Sequence, residues 1–382
     1  MNDTQTCPLL MQFSYDDRQK SVNVAAKWFD MYKGPKYLNS TGGHHGGPDW
    51  NSENNYKGDL ILQFFNKHVK GEPSSFFPTT SYRFMKTPED YTSYRSESFV
   101  PDALDLNTSS APNEVRTPFV LVASGGSYHL VQKTPSEVSA TAPAVSANIK
   151  QVLDYEEDGT GGSPVSTMSN LVDYVATYKG IKTFKANHVL DDGKGDVGSE
   201  PWFNTSSIDF LSEELSEDMT ILGPVSGYFV VSSDTSSSQF GFDVLDYAPS
   251  AGYSYQTSSW GDGGVTSETI NPRSIALGIQ SFHNATNASS IVVESGFQYY
   301  TFRKGHKFGI RLKNHTYFGP IISSNNANST FYQIPIIGDF DLNFILSEAA
   351  CYVMLPVVPQ EVVVPETFQG GGWPKMRDIS IE

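Results

Sequence analysis

The chain has little of several things. It carries two cysteines in 382 residues, Cys7 and Cys351, near opposite ends. Two thiols are too few for a disulfide framework or a thiolate zinc site, so both are read as free. Basic charge is also scarce, with 26 Lys and Arg against 42 Asp and Glu, a formal charge of −16. No Lys/Arg run occurs at either end or between the apolar segments. Charge neutralisation of a nucleic-acid backbone is therefore not expected, and no direct nucleic-acid partner is assigned. Long apolar runs are missing too. The densest, Ala349 to Val358, is broken by Pro356 and falls short of the roughly 18–20 residues that cross a bilayer, so no membrane span is expected. The first residues, Met1-Asn-Asp-Thr-Gln-Thr-Cys7, show neither a basic nor an apolar leader region, and no targeting peptide is expected.

What is present points to strands. Hydrophobic residues make up 38% of the chain, but 24 Phe, 20 Tyr and 5 Trp supply large surfaces for a core. Gly (32) and Pro (22) punctuate short segments. Period-two alternation is clearest in Phe308–Leu312 and Leu342–Leu346. It recurs at Leu60–Phe65, Phe119–Val122, Tyr228–Val231, Phe240–Val244, Ile291–Val293, Gln298–Arg303 and Phe331–Ile337. The expected helix is Ser207–Ser216, with Ile208, Leu211 and Leu215 at i, i+3 and i+7 behind a serine cap. Ala147–Tyr155 suits either a helix or a strand. An all-β fold follows.

Composition shifts along the chain. Thr134–Ser146 is rich in Pro, Ala, Ser and Thr, Asp158–Pro164 and Ser258–Gly264 are Gly-rich, and 150–218 holds 14 acids against 5 bases. The expected organisation is a β domain built from both ends, residues 1–111 and 265–382, interrupted by an inserted unit at 112–264.

Candidate chemistry does not rise above its surroundings. Gly193-Lys-Gly195-Asp-Val-Gly198 matches a dinucleotide-loop spacing, but Pro201 and Trp202 follow where a helix must open. His44 and His45 lie in a Gly-rich stretch without further ligands at metal-site spacing. Asp191, Asp192, Asp196 and Glu200 have oxygen ligands for calcium but no EF-hand register. Ser127 and His129 alternate in one strand, which does not build the base–orienter pair of a triad, and no G-x-S-x-G elbow occurs. Trp50, Trp202 and Trp260 lie beside Gly, Pro or Ser and suit either a core or a sugar platform. Eight N-glycosylation sequons, among them Asn204, Asn284, Asn287 and Asn328, are read as chance in an Asn/Ser/Thr-rich chain. No catalytic residue, cofactor site or metal site is assigned, no cofactor is expected, and the chain is expected not to be an enzyme.

The start Met1–Cys7, the length, the β spacing from Phe308 to Pro356 and the tail Gly370-Gly-Gly-Trp373-Pro-Lys-Met-Arg carry one resemblance. The chain resembles the penton (vertex, minor virion) proteins of Sputnik-type virophages. That resemblance implies a jelly-roll β-sandwich with an inserted, outward-projecting second β domain. It further implies a structural capsid protein: a homopentamer at the vertex of an icosahedral double-stranded DNA virus, contacting the major capsid protein and located in the virion. The family has no catalytic motif to transfer. The alternative is a carbohydrate-binding or carbohydrate-active β-sandwich.

Overall fold

The structure is a computed structural model. It describes residues 7–14, 22–41, 56–73, 80–87, 103–106, 115–138, 145–153, 203–205, 207–250, 252–258, 265–283, 286–313, 340–346 and 350–358. The expected strand Phe331–Ile337 and the Gly-rich runs at 158–164 and 259–264 lie outside them.

Residues up to 106 form a small mixed unit. Strand β1 (Leu9–Ser14) is followed by helix α1 (Val22–Met31), β2 (Lys36–Thr41), helix α2 (Tyr56–Phe65) with a π-helical turn (Asn66–Lys70), β3 (Thr80–Met85) and β4 (Ala103–Leu106). The sheet order is β1-β2-β3-β4. β1 with β2 and β2 with β3 are parallel, whereas β4 is antiparallel to β3. Parallel neighbours need a crossover, and each helix supplies one. The helices cover opposite faces. Phe29 of α1 packs with Leu38, Tyr82 and Phe84, while Phe64 of α2 meets the ring of Tyr37, the strand neighbour of Leu38, at 6.1 Å. Leu60–Phe65, read from alternation as a strand, is thus the C-terminal half of α2. Its apolar residues satisfy both periods, and Leu60, Phe64 and His68 fall on the inward face at i, i+4 and i+8.

The rest of the chain is β. In order come β5 (Val115–Ser124), β6 (Ser127–Gln132), β7 (Val145–Leu153), β8 (Phe203–Thr205), β9 (Ser207–Leu211), β10 (Met219–Ser233), β11 (Ser237–Tyr247), β12 (Tyr253–Ser258), β13 (Val265–Ile270), β14 (Arg273–His283), β15 (Ser289–Phe302), β16 (Lys307–Lys313), β17 (Phe340–Leu346) and β18 (Tyr352–Val358). Nine of them close a ring in the order β15-β14-β11-β16-β9-β6-β5-β18-β10, shut by β10 against β15, with β17, β7 and β8 continuing from β10. β14 meets β15 through one residue pair, Gly278 with Ser295, and β6 meets β9 through one, His129 with Leu211. The ring encloses a core. In it Phe229, Phe240 and Phe344 meet edge to face, with centroids 5.2 to 6.2 Å apart. Burying each such ring stabilises the fold by roughly 1.5–3 kcal/mol.

One expectation changes here. Ser207–Ser216 is not a helix. Ile208, Phe210 and Ser212 are buried alternately and β9 pairs with β16, while Leu215 exchanges backbone bonds with the turn at Gly305 and His306. Ladder partners outweigh a short helical period. Strands from 115–247 interleave with those from 273–358 in one twelve-stranded sheet, and residues 9–106 pair among themselves. Of Ala147–Tyr155 the described part, up to Leu153, lies in strand β7, and both cysteines are free, Cys7 exposed and Cys351 buried.

β10 is the hub and also joins the two units. Its register breaks between Pro224 and Ser226, where Gly223 has φ 132°, and the Val225 N–H freed by the break donates to Ser295 Oγ at 2.9 Å. The same stretch of β15 receives the small unit. Phe84 stacks on Phe297 at 5.1 Å, Asn23 Nδ2 donates to the Ser295 carbonyl at 2.8 Å, and the Thr87 N–H donates to the Tyr299 carbonyl at 2.8 Å.

Candidate functional site

Two places combine polar groups with a scaffold able to position them. The first is the carboxyl edge of the parallel strands. β1 and β2 are paired in register from Leu9 with Lys36 to Ser14 with Thr41, so both end level with each other. In open α/β sheets ligands sit beyond such ends. The sequence continues from Ser14 into Tyr15-Asp16-Asp17 and from Thr41 into Gly42-Gly43-His44-His45. These residues lie outside the described ones, as do 191–200, Trp50, Trp202 and Trp260. Just inside the edge a polar row crosses the α2 face: Gln12, Asn39 and Arg83 are successive cross-strand partners. Asn39 and Arg83 are buried, and Gln12 Nε2 is buried with no hydrogen-bond partner. Under α2, His68 Nε2 lies 3.2 Å from the Tyr37 hydroxyl. Burial, with Lys67 beside it, holds this imidazole below its ordinary value.

The second place lies inside the barrel. Asp246 is fully buried and takes the Tyr300 hydroxyl on Oδ2 at 2.7 Å, while its Oδ1 lies 2.9 Å from His306 Nδ1. The Tyr253 hydroxyl is 2.9 Å from the same Nδ1. The buried guanidinium of Arg273 lies over the Tyr300 ring at 5.4 Å and the Tyr253 ring at 5.8 Å. Burial and the Asp246 charge push both phenols far above their ordinary range. Sequence reasoning missed this cluster because its members are up to 60 residues apart. One signal was available. Phe240, Phe242, Val244 and Asp246 share the inward phase of β11, and an acid in that phase must be paired.

Ser127 and His129 fall on β6 after a two-glycine turn, Gly125 (φ 60°) and Gly126 (φ 81°). Ser127 is exposed there. Among the described residues no group of three or more His, Cys, Asp and Glu is placed to hold a metal.

No family model matches the sequence, and no curated protein matches it. Solved structures do. A CocE/NonD family hydrolase from Staphylococcus aureus superimposes on 92% of this chain and 55% of its own, with 11% identity and a TM-score of 0.56. A second structure of that hydrolase gives 93%, 54%, 12% and 0.54. An α-amino acid ester hydrolase superimposes more loosely, on 84% of this chain and 50% of its own, with 16% identity and a TM-score of 0.45. The chain spans about half the length of the solved hydrolases it matches. At this identity the likeness is one of fold. It overturns the expectation that the chain is not an enzyme: that expectation rested on missing motifs, and the fold that these motif-poor residues build is one that hydrolases use.

Proposed function

We propose that this chain is a hydrolase-type module in which Asp16 or Asp17 and His44 or His45 serve as an acid–histidine pair. The observation that carries the reading is the parallel, level ending of β1 and β2, since in the sequence Asp16 and Asp17 come two and three residues after the end of one and His44 and His45 three and four after the end of the other. In α/β-hydrolases the acid and then the histidine follow the nucleophile in chain order, and Asp16/Asp17 before His44/His45 keeps that order. The acid would hold the imidazole in one orientation and stabilise its charged form, and the imidazole would take the proton from an attacking hydroxyl. Ester or amide cleavage is the reaction class this pair serves. No G-x-S-x-G elbow occurs in the 382 residues, so no nucleophile is assigned.

The test is the pH titration of His44 and His45 by NMR. One of them should titrate above the ordinary value of about 6.5 and fall back in D16N or D17N. If both titrate normally and ignore both substitutions, the pair does not exist and the reading fails.

A second reading keeps the resemblance to virion vertex proteins. The nine-stranded ring, closed by β10 against β15, supports it, read as a jelly-roll sandwich of the kind that capsid proteins use. Five-membered rings in negative-stain images of the purified chain would favour this reading over the first.

A further inference from the structure

β12 and β13 stand apart from the barrel. They pair with each other over six positions, from Tyr253 with Ile270 to Ser258 with Val265, and form a separate two-stranded sheet. An isolated ribbon of that size is marginal in water, so its order depends on how its root is held. The root is the end of the β11–β14 ladder, where Asp246 faces Arg273. One step beyond, the Asn271 side chain brackets Ala248. Its Oδ1 accepts the Ala248 N–H at 3.1 Å and its Nδ2 donates to the Ala248 carbonyl at 2.8 Å. Then comes Tyr253, the first residue of β12, with its ring inserted into the buried cluster.

The hydrogen-bond chemistry of that insertion is constrained. A carboxylate only accepts, so the contact between His306 Nδ1 and Asp246 Oδ1 requires the proton on Nδ1. The Tyr253 oxygen, equally close to Nδ1, is then a second acceptor of the same N–H, and its own proton is free for another oxygen. Asp246, Tyr300 and His306 all belong to the barrel strands or the turn before β16, while Tyr253 belongs to the ribbon. The cluster is therefore the buried polar joint between the two.

We infer that the β12–β13 ribbon is a latched arm, which opens as a unit while the barrel stays folded, and that the latch is Tyr253 seated on His306 and Asp246. Low-stability units of this kind are where proteins place moving elements.

Amide hydrogen exchange on the whole chain tests this. In Tyr253→Phe, protection at 253–258 and 265–270 should fall at least tenfold, while 226–232 and 307–313 stay within twofold. Unchanged arm protection, or equal loss in the barrel, overturns the latch. The wild-type chain gives an independent check should the variant fail to fold. In low urea its arm amides should exchange through an opening with a smaller denaturant dependence than the barrel amides. A single shared dependence overturns the arm.

Discussion

Asp246 and Arg273 face each other as the last cross-strand pair of β11 and β14, and both are buried. The pair closes the barrel end from which the β12–β13 ribbon departs. Opposite charges in this position tie three parts together: the ladder, the two tyrosine rings beneath the guanidinium, and His306.

Removing the acid should be expensive. Asp246→Asn retains the shape but removes the buried negative charge that faces Arg273 across the ladder and leaves the Tyr300 and His306 donors on a weaker acceptor. A loss of about 3–5 kcal/mol is expected, read from urea or thermal unfolding. A cost under about 1 kcal/mol would mean that water reaches the cluster.

Alkali should destabilise the protein. Burial pushes the Cys351 thiol up to about 12. Tyr247, Tyr253 and Tyr300 are also raised, each chiefly by burial. These acids stay protonated in the folded chain while the unfolded chain releases its protons, near pH 8.5 for the thiol and near 10 for the phenols. Above those values the unfolded state binds fewer protons, so stability falls with pH by up to about 1.4 kcal/mol per unit for each group. Their stabilising contribution is intact below pH 8.5 and drains away as pH rises through 10 to 12. Unfolding free energies measured from pH 7 to 11 should show the slope steepening near pH 10. Over the same range a thiol reagent should label Cys7 rapidly and Cys351 only on unfolding.

The seam of the barrel depends on a missing side chain. A Cβ at Gly278 would stand 2.8 Å from the Phe242 ring and 3.0 Å from the Glu294 carbonyl oxygen, which is backbone and cannot swing aside. Gly278 is also the residue through which β14 meets β15. Gly278→Ala should therefore cost about 1–3 kcal/mol by overpacking. Exchange protection should fall first along Gly278–His283 and Ser289–Ser295; a neutral substitution would show that the seam is looser than its geometry.

Much of the barrel was legible because its strands alternate cleanly. Leu342–Leu346 buries every second side chain, Phe308, Ile310 and Leu312 are buried about the half-buried Arg311, and Phe240–Val244 keeps the period in its sequence although Asp243 is buried as well; a period of two needs no tertiary knowledge to read. The N-terminal unit was not legible for a physical reason. β1 and β2 are short strands in a sheet covered on both faces, where polar and apolar residues do not alternate. α2 carries apolar residues nearly all round, so Leu60–Phe65 fits two periods at once. Ser207–Leu211 failed in the opposite direction, since its acids and leucines suit a helix until β16 offers a ladder. Of the candidate site, His44 and His45 were noticed but weighed only as metal ligands. The proposal that links them to Asp16 and Asp17 rests on β1 and β2 being parallel neighbours, a fact of topology that spacing does not encode.

The joint between the small unit and the barrel supplies the last prediction. Phe84 is almost fully buried, stacks on Phe297 at 5.1 Å and on Tyr82 at 6.1 Å, and belongs to a cluster that includes Leu222 and Val358 of the barrel. Truncating a ring so placed costs about 3–5 kcal/mol, because the atoms lost are buried on both sides and the hole cannot collapse across two rigid sheets. The cost should fall unevenly. The barrel keeps its own larger core, whereas among the described residues before 115 the buried apolar side chains outside this cluster are Tyr32, Tyr37 and Leu60. Phe84→Ala should therefore split unfolding into two transitions, with proteolysis removing the residues before 115 at a temperature where the barrel fragment survives. Leu355→Ala, buried in the barrel core, should lower the barrel transition. A single cooperative transition in both variants would mean that β15 transmits its stability across the joint and that the two units fold as one.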